Sequence, residues 1–235
     1  MVRIVNNFKG VVLWDMDGTL ISPIRHNFES PHVKAVIRNG FNPEEKHPGL
    51  LGSTDFEIIS DLVNIDQNQE RGDVLENCFK DLDSVSLSMY NQNSFFLCQG
   101  LPEALIKIQE LGWNNGILTG NTKARMLKKL EILNITNFFN HKFMFYCELN
   151  DNRENIAARA KKTLKSEHVS NSFIVGDTPR DIKVAKEYDF KVVAVGTGHF
   201  SLKQLEQLAP NLVIKNLEDD LRVFLSFLVG LSLND

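Results

Sequence analysis

Two apolar runs in this chain stop abruptly at aspartate. Val11-Val12-Leu13-Trp14 drives into Asp15-Met16-Asp17 and breaks at Gly18, while Phe173-Ile174-Val175-Gly176 drives into Asp177. Short, continuously apolar runs are the pattern of central strands covered on both faces. Such a strand does not end in paired carboxylates unless something binds there, because an unpaired buried charge costs several kcal/mol or is forced to neutralise. Together the runs constrain both the fold class and the place of the chemistry.

The pattern between and after them is strand alternating with helix. The first strand is expected to lead from Ile4 to near Asp15. Gly100-Leu101-Pro102-Glu103 opens a helix with Leu105, Ile108 and Leu111 as its buried stripe, closed by Gly112. Asn115 to Thr119 predicts a second strand, followed by a helix whose apolar positions are Ala124, Leu127, Leu130, Ile132 and Leu133. Phe143 to Tyr146, Asp151 to Leu164, Phe173 to Gly176, Pro179 to Tyr188, Lys191 to Val195, Val213-Ile214 and Leu217 to Val229 continue the alternation. This predicts an α/β fold with a doubly wound, Rossmann-like parallel sheet and right-handed crossovers.

One segment breaks the rhythm. From 22 to 96 there are prolines at 23, 31, 43 and 48, little β-branched alternation, and helical spacing in three places. Val33, Val36 and Ile37 fit a short helix, Phe56, Ile59 and Val63 a second, and Val74, Cys78, Leu82, Val85 and Met89 a longer third. The segment holds twelve acidic and six basic residues, more acidic than the rest of a chain whose net charge is −4. It reads as a helical domain, 22–96, inserted into an α/β core formed by 1–21 and 97–235.

Composition narrows the class. A 43% hydrophobic, mildly acidic chain of 235 residues can bury a core but has no general attraction to nucleic acid or anionic membrane. Cys78, Cys98 and Cys147 are odd in number and widely spaced, which predicts neither a disulfide framework nor a metal-ligand pair. With no apolar stretch suited to a signal peptide or a membrane span, a cytoplasmic protein is expected, monomeric or homodimeric.

The polar residues at the expected strand ends are Asp15 and Asp17, Thr119 and Asn121, and Asp177. Open α/β sheets bind ligands at that edge. Helix capping explains any one aspartate, but explains three strand ends together less well. Clustered carboxylates raise one another's pKa unless a cation neutralises them. Oxygen-only ligation suits magnesium, which in turn recruits a phosphoryl group. Backbone N–H groups around Gly18 and Gly120 could cradle its oxygens.

The motifs now form a set. Asp15-Met16-Asp17-Gly18-Thr19, Leu118-Thr119-Gly120-Asn121 and Gly176-Asp177-Thr178-Pro179-Arg180-Asp181 occur in order and at suitable spacing. The chain resembles the haloacid dehalogenase-like hydrolases, in their phosphoglycolate-phosphatase-like branch with a helical cap. The resemblance implies that Asp15 is a nucleophile attacking phosphorus, and Asp17 the acid and then base that moves the proton. A closed site is expected to raise the pKa of Asp17 above its ordinary ~3.9. The resemblance further implies that Thr119, Gly120 and Asn121, with Gly18 and Thr19, contact the phosphoryl group. Asp15, Asp177, Asp181 and the Asp17 backbone carbonyl are expected to hold Mg2+. A dehalogenase reading is disfavoured, since that branch uses neither the second aspartate as an acid nor the metal.

Family members also place a cation beside the nucleophile. Arg153, Lys161 and Lys162 are available, and Arg153 shares a stripe with Ile156, Ala157, Ala160 and Leu164, whereas the lysines fall toward solvent. Arg153 is the expected partner, with a surface position as its alternative. The inserted unit corresponds to the family's cap, and Gly49 to Asp55 resembles the loop that faces the site. Thr54 and Asp55 are candidates to touch substrate; an N-cap of the following helix by Ser53 or Thr54 is the equal alternative. His199 is expected to be exposed near the site, and Phe138, Phe139, Phe143 and Phe145 to be core. The expected substrate is a small phosphorylated metabolite. A phosphomutase shares every motif, and a non-catalytic phospho-receiver or regulatory module is the reading from another class.

Overall fold

The computed structural model describes residues 8–23, 30–43, 51–63 and 71–232. The start of the first strand at Ile4, and Gly49 and Leu50 of the expected cap loop, lie outside the described residues. Six strands, β1 (Gly10–Trp14), β4 (Trp113–Thr122), β5 (Phe139–Cys147), β6 (Ser172–Gly176), β7 (Lys191–Val195) and β8 (Leu212–Ile214), form one sheet in the order β5-β4-β1-β6-β7-β8. Every pairing in it is parallel. The doubly wound α/β sheet expected from the alternation is therefore the observed one.

Side-chain alternation explains why the central strands are apolar throughout. Val12 and Trp14 of β1 pack into one core layer while Val11 and Leu13 pack into the other. The first layer is covered by α4 (Glu103–Glu110), α5 (Lys123–Ile132) and α9 (Leu221–Ser232), through residues such as Leu105, Met126 and Phe224. The second is covered by α6 (Arg153–Ser166), α7 (Pro179–Glu187) and the short α8 (Leu202–Glu206), through Ile156, Ala185 and Leu205. Phe139, Phe143 and Phe145 are buried, Phe139 in the first layer and the other two in the second, and Phe138 packs against the first. All three cysteines are buried and free.

Three helices, α1 (Pro31–Arg38), α2 (Asp55–Val63) and α3 (Arg71–Met89), share a third apolar cluster that includes Ala35, Ile59, Cys78 and Leu82. The chain leaves the sheet and returns to it through a small antiparallel ribbon of β2 (Ile21–Pro23) and β3 (Phe95–Leu97). No sequence signal marked that ribbon. Both strands have three residues, and Phe96 is 60% exposed, so neither shows a periodic pattern.

The helix after β4 is turned relative to expectation. Its buried positions are Arg125, Met126, Lys129 and Leu130, not a purely apolar stripe. Among the described residues, no helix is long and apolar enough to cross a membrane.

Candidate active site

β1 and β6 are adjacent parallel strands, so their carboxyl ends deliver Asp15 and Asp177 to the same edge of the sheet. Asp181 joins them from the first turn of α7, and one carboxylate oxygen from each of the three lies within 4.8 Å of the others. Close backbone approach makes this possible: a Cβ at Gly18 or Gly198 would run into the Asp177 carboxylate. Gly18 also has φ +94°, a left-handed conformation that other residues adopt only with strain. Burial, then the neighbouring Asp15 and Asp181, push the Asp177 carboxyl well above its ordinary range. Burial likewise raises Asp15, against the pull of Arg153. Three converging, desolvated carboxylates offer oxygen donors that would suit a hard divalent cation, and their chemistry fits magnesium.

Arg153, the first residue of α6, is 3% exposed and donates from Nη2 to Asp15 Oδ1 at 2.7 Å. The same nitrogen pairs with Asp181 Oδ1. Its Nε is buried with no hydrogen-bond partner among the described residues, a donor available to a further anion. Lys161 instead points to the surface, where Nζ donates to the Asp189 carbonyl at 2.6 Å. Asp181 is also engaged in a capping box with Thr178, whose hydroxyl donates to Oδ2 at 2.7 Å. Both Asp181 oxygens therefore already have protein partners.

Asp17 departs from expectation. Its carboxylate faces Lys129, whose Nζ lies 2.6 Å from both Oδ1 and Oδ2, and Asn121 Nδ2 donates to Oδ2 at 2.8 Å. Burial works to raise its pKa, but the Lys129 ammonium and these hydrogen bonds hold the carboxyl below its ordinary range. The expected upward shift is thus overturned, because a buried cation sits against the group. Thr119 is 1% exposed and accepts at Oγ1 from Asn121 N and Nδ2, both at 3.2 Å, which leaves its hydroxyl hydrogen to donate elsewhere. Thr19 is fully buried and donates to Asp177 Oδ1 at 3.0 Å, so it braces that carboxylate and does not line the cavity.

The loop entering α2 closes over this edge. A Cβ at Gly120 would meet the Ser53 carbonyl and Thr54 Cα, which shows how tightly the two loops pack. Thr54 is fully buried: its hydroxyl donates to the Asp151 carbonyl at 2.7 Å and accepts from Glu57 N at 3.1 Å. Of the two roles expected for it, the helix cap is the one its geometry serves, and substrate contact is not. The Asp55 carboxylate accepts from Thr122 N at 2.7 Å, pairs with Arg125, and lies 2.8 Å from His32 Nε2. Arg125 is held in turn by the Tyr90 hydroxyl, 3.1 Å from Nε and 2.9 Å from Nη2. Ser53 Oγ is buried and has no partner among the described residues.

What remains is a cavity of about 200 Å³ whose lining includes Asp17, Asp177, Ser53, Asn121 and Arg125. His199 sits exposed on its wall. A larger groove, about 1020 Å³, runs between α4 and α9 and holds none of these carboxylates.

The sequence profile of the haloacid dehalogenase-like hydrolases matches residues 12–195. The chain belongs to that family. Among proteins with curated descriptions, none matches it in sequence. Similar solved structures include a haloacid dehalogenase-like hydrolase candidate from Bacteroides fragilis, 17% identical, with a TM-score of 0.67 over 89% of this chain and 98% of that one. A candidate phosphoglycolate phosphatase from Haemophilus somnus is 15% identical, with a TM-score of 0.65 over 92% and 98%. A candidate β-phosphoglucomutase from Thermotoga maritima is 16% identical, with a TM-score of 0.58 over 92% and 99%. At these identities the likeness extends to the fold.

Proposed function

We propose that this protein is a Mg2+-dependent phosphomonoesterase that hydrolyses a small phosphorylated metabolite through an aspartyl-phosphate. The observation that carries the reading is the convergence of Asp15, Asp177 and Asp181 on one point, with Arg153 bonded to Asp15, beneath a loop that closes the site. Phosphoryl transfer asks mainly for positioning and charge neutralisation, and that is what such a cluster offers.

In this reading Asp15 attacks phosphorus, the bond to the leaving oxygen breaks, and Asp17 protonates that oxygen. Water then attacks the phospho-aspartate with Asp17 accepting its proton, so that phosphate leaves and Asp15 is regenerated. Asp17 is held in its proton-accepting form, so the first proton must arrive with substrate. A phosphomonoester with a second pKa near ~6 can carry it in as the monoanion. Arg153 orients Asp15 and meets a phosphoryl oxygen, and the Thr119 hydroxyl donates to another. Asp15, Asp177 and the Asp17 carbonyl would hold Mg2+, with Asp181 reaching it through water because its own oxygens are engaged. The metal supplies Lewis-acid neutralisation of the phosphoryl charge. Residues 22–96 act as the cap, with Ser53 rather than Thr54 offering its hydroxyl to the leaving group.

A screen of phosphorylated metabolites, followed for both free phosphate and isomerised product, tests this. Free phosphate without isomer supports the phosphatase, and isomer without phosphate would establish a phosphomutase instead.

A further inference from the structure

Lys129 is 2% exposed, lies on α5, and belongs to no motif. Desolvating an ammonium is costly unless it is fully paired. Its Nζ contacts both oxygens of Asp17 and Asn121 Oδ1, each at 2.6 Å, and lies 5.5 Å from the centre of the Phe95 ring. Asp17 sits on the turn after β1, with a side chain 49% exposed, and among the described residues its side-chain hydrogen-bond partners come from β4 and α5. Without Lys129, Asn121 Nδ2 alone would restrain a half-open carboxylate. Arg125, one helical turn earlier on the same face, holds Asp55 at the start of α2. One face of α5 thus grips the loop above the site and the aspartate within it.

We propose that Lys129 is a positioning residue, fixing the Asp17 carboxylate in the orientation from which it reaches the leaving-group oxygen. This rests on the proton-transfer role proposed above for Asp17. Lys129 holds Asn121 as well as Asp17, and Asp17 is the partner through which it bears on proton transfer. Its effect must therefore depend on how much the leaving group needs a proton, which a purely structural tie between α5 and β1 would not produce.

The test compares kcat/KM for phenyl phosphate and 4-nitrophenyl phosphate in the wild type, Lys129→Met, Asp17→Asn and the double variant, all with Mg2+. General acid help is worth on the order of 10² or more when the leaving group is poor. Lys129→Met is expected to lose about 10-fold or more on phenyl phosphate but less than about 3-fold on 4-nitrophenyl phosphate. The double variant is expected to be no worse than Asp17→Asn alone, since the two act as one unit. Equal losses on both substrates, or a double variant whose loss is the product of the single losses, would overturn the inference while leaving the role of Asp17 standing. If Asp17→Asn itself shows no dependence on the leaving group, the proton-transfer reading fails and this inference fails with it. Lys129→Gln, which keeps a polar atom in the buried slot, is read the same way should the methionine variant not fold.

Discussion

Arg153 and Asp15 lie 138 residues apart in sequence and meet through Nη2 and Oδ1 at 2.7 Å, both buried. The second aspartate of the same motif has its own cation in Lys129. The two carboxylates thus begin from different electrostatic settings, one raised by burial and one held low by an ammonium.

The Arg153 pairing predicts a clear ranking of basic residues. Arg153→Ala should lower phosphate release by on the order of 10²-fold, comparable to removing one donor aimed at a developing charge. Lys161→Ala and Lys162→Ala should stay within about 2-fold, because the Lys161 ammonium meets the Asp189 carbonyl and the Phe190 ring, away from the clustered carboxylates. Steady-state assays of the three variants decide this, and the reverse ranking would remove Arg153 from the site.

Metal dependence should appear in stability as well as in turnover. Asp15 and Asp177 have folded pKa values raised above the unfolded value of ~3.9, so the metal-free native state keeps protons that the unfolded chain has released. Their contribution to stability is present at low pH and is lost as pH rises through the raised values. A divalent cation bound at the proposed site would replace those protons. The rise in thermal midpoint caused by Mg2+ over EDTA should therefore be larger at pH 8 than at pH 6, as calorimetry can show; a rise that shrinks with pH would contradict the cluster's role.

Asp55 and Arg125 form a buried pair joining α2 to α5, so Asp55→Ala should cost about 3–5 kcal/mol by leaving a buried guanidinium uncompensated. Arg180 and Glu57 join α7 to the same helix, but their side chains are 38% and 28% exposed, and Arg180→Gln should cost about 1 kcal/mol or less. Urea unfolding of the two variants measures the contrast. Equal costs would mean that the buried pair does not clamp the two elements.

His32 gives stability a slope of the opposite sign. Burial, then Arg125, lower its folded pKa, so below the unfolded value of ~6.5 the unfolded chain binds a proton that the native state refuses. Stability is kept above that pH and lost as pH falls, by up to about 1.4 kcal/mol per unit. His32→Gln should flatten the urea midpoint between pH 6.5 and 5. A midpoint that falls as steeply as in the wild type would remove His32 as the cause.

Much of the fold and site could be read from the sequence because the signals were local. An apolar run ending in Asp15 or Asp177 states both strand and strand end, and the spacing of Ile156, Ala157, Ala160 and Leu164 put Arg153 on the inward face, where it is found. Lys129 escaped notice because a lysine on an amphipathic helix ordinarily faces water. The available signal was that Arg125 and Lys129, one turn apart, flank Met126 and Leu130, so that a cationic stripe runs beside the apolar one. Thr54 and Asp55 lie on the loop that the sequence points to, where Ser53 and Asp55 line the cavity and Thr54 is turned away from it to cap α2. The Thr54 hydroxyl is also tied to the Asp151 carbonyl, nearly a hundred residues later, a contact that no local pattern reveals.

In the proposed reaction, Asp15 forms the covalent bond to phosphorus. The direct measurement is Mg2+-dependent phosphate release from 4-nitrophenyl phosphate by wild type and Asp15→Asn, with folding checked by thermal melt. The wild type should release phosphate and a folded Asp15→Asn none above background. Turnover that survives the substitution would contradict that role for Asp15.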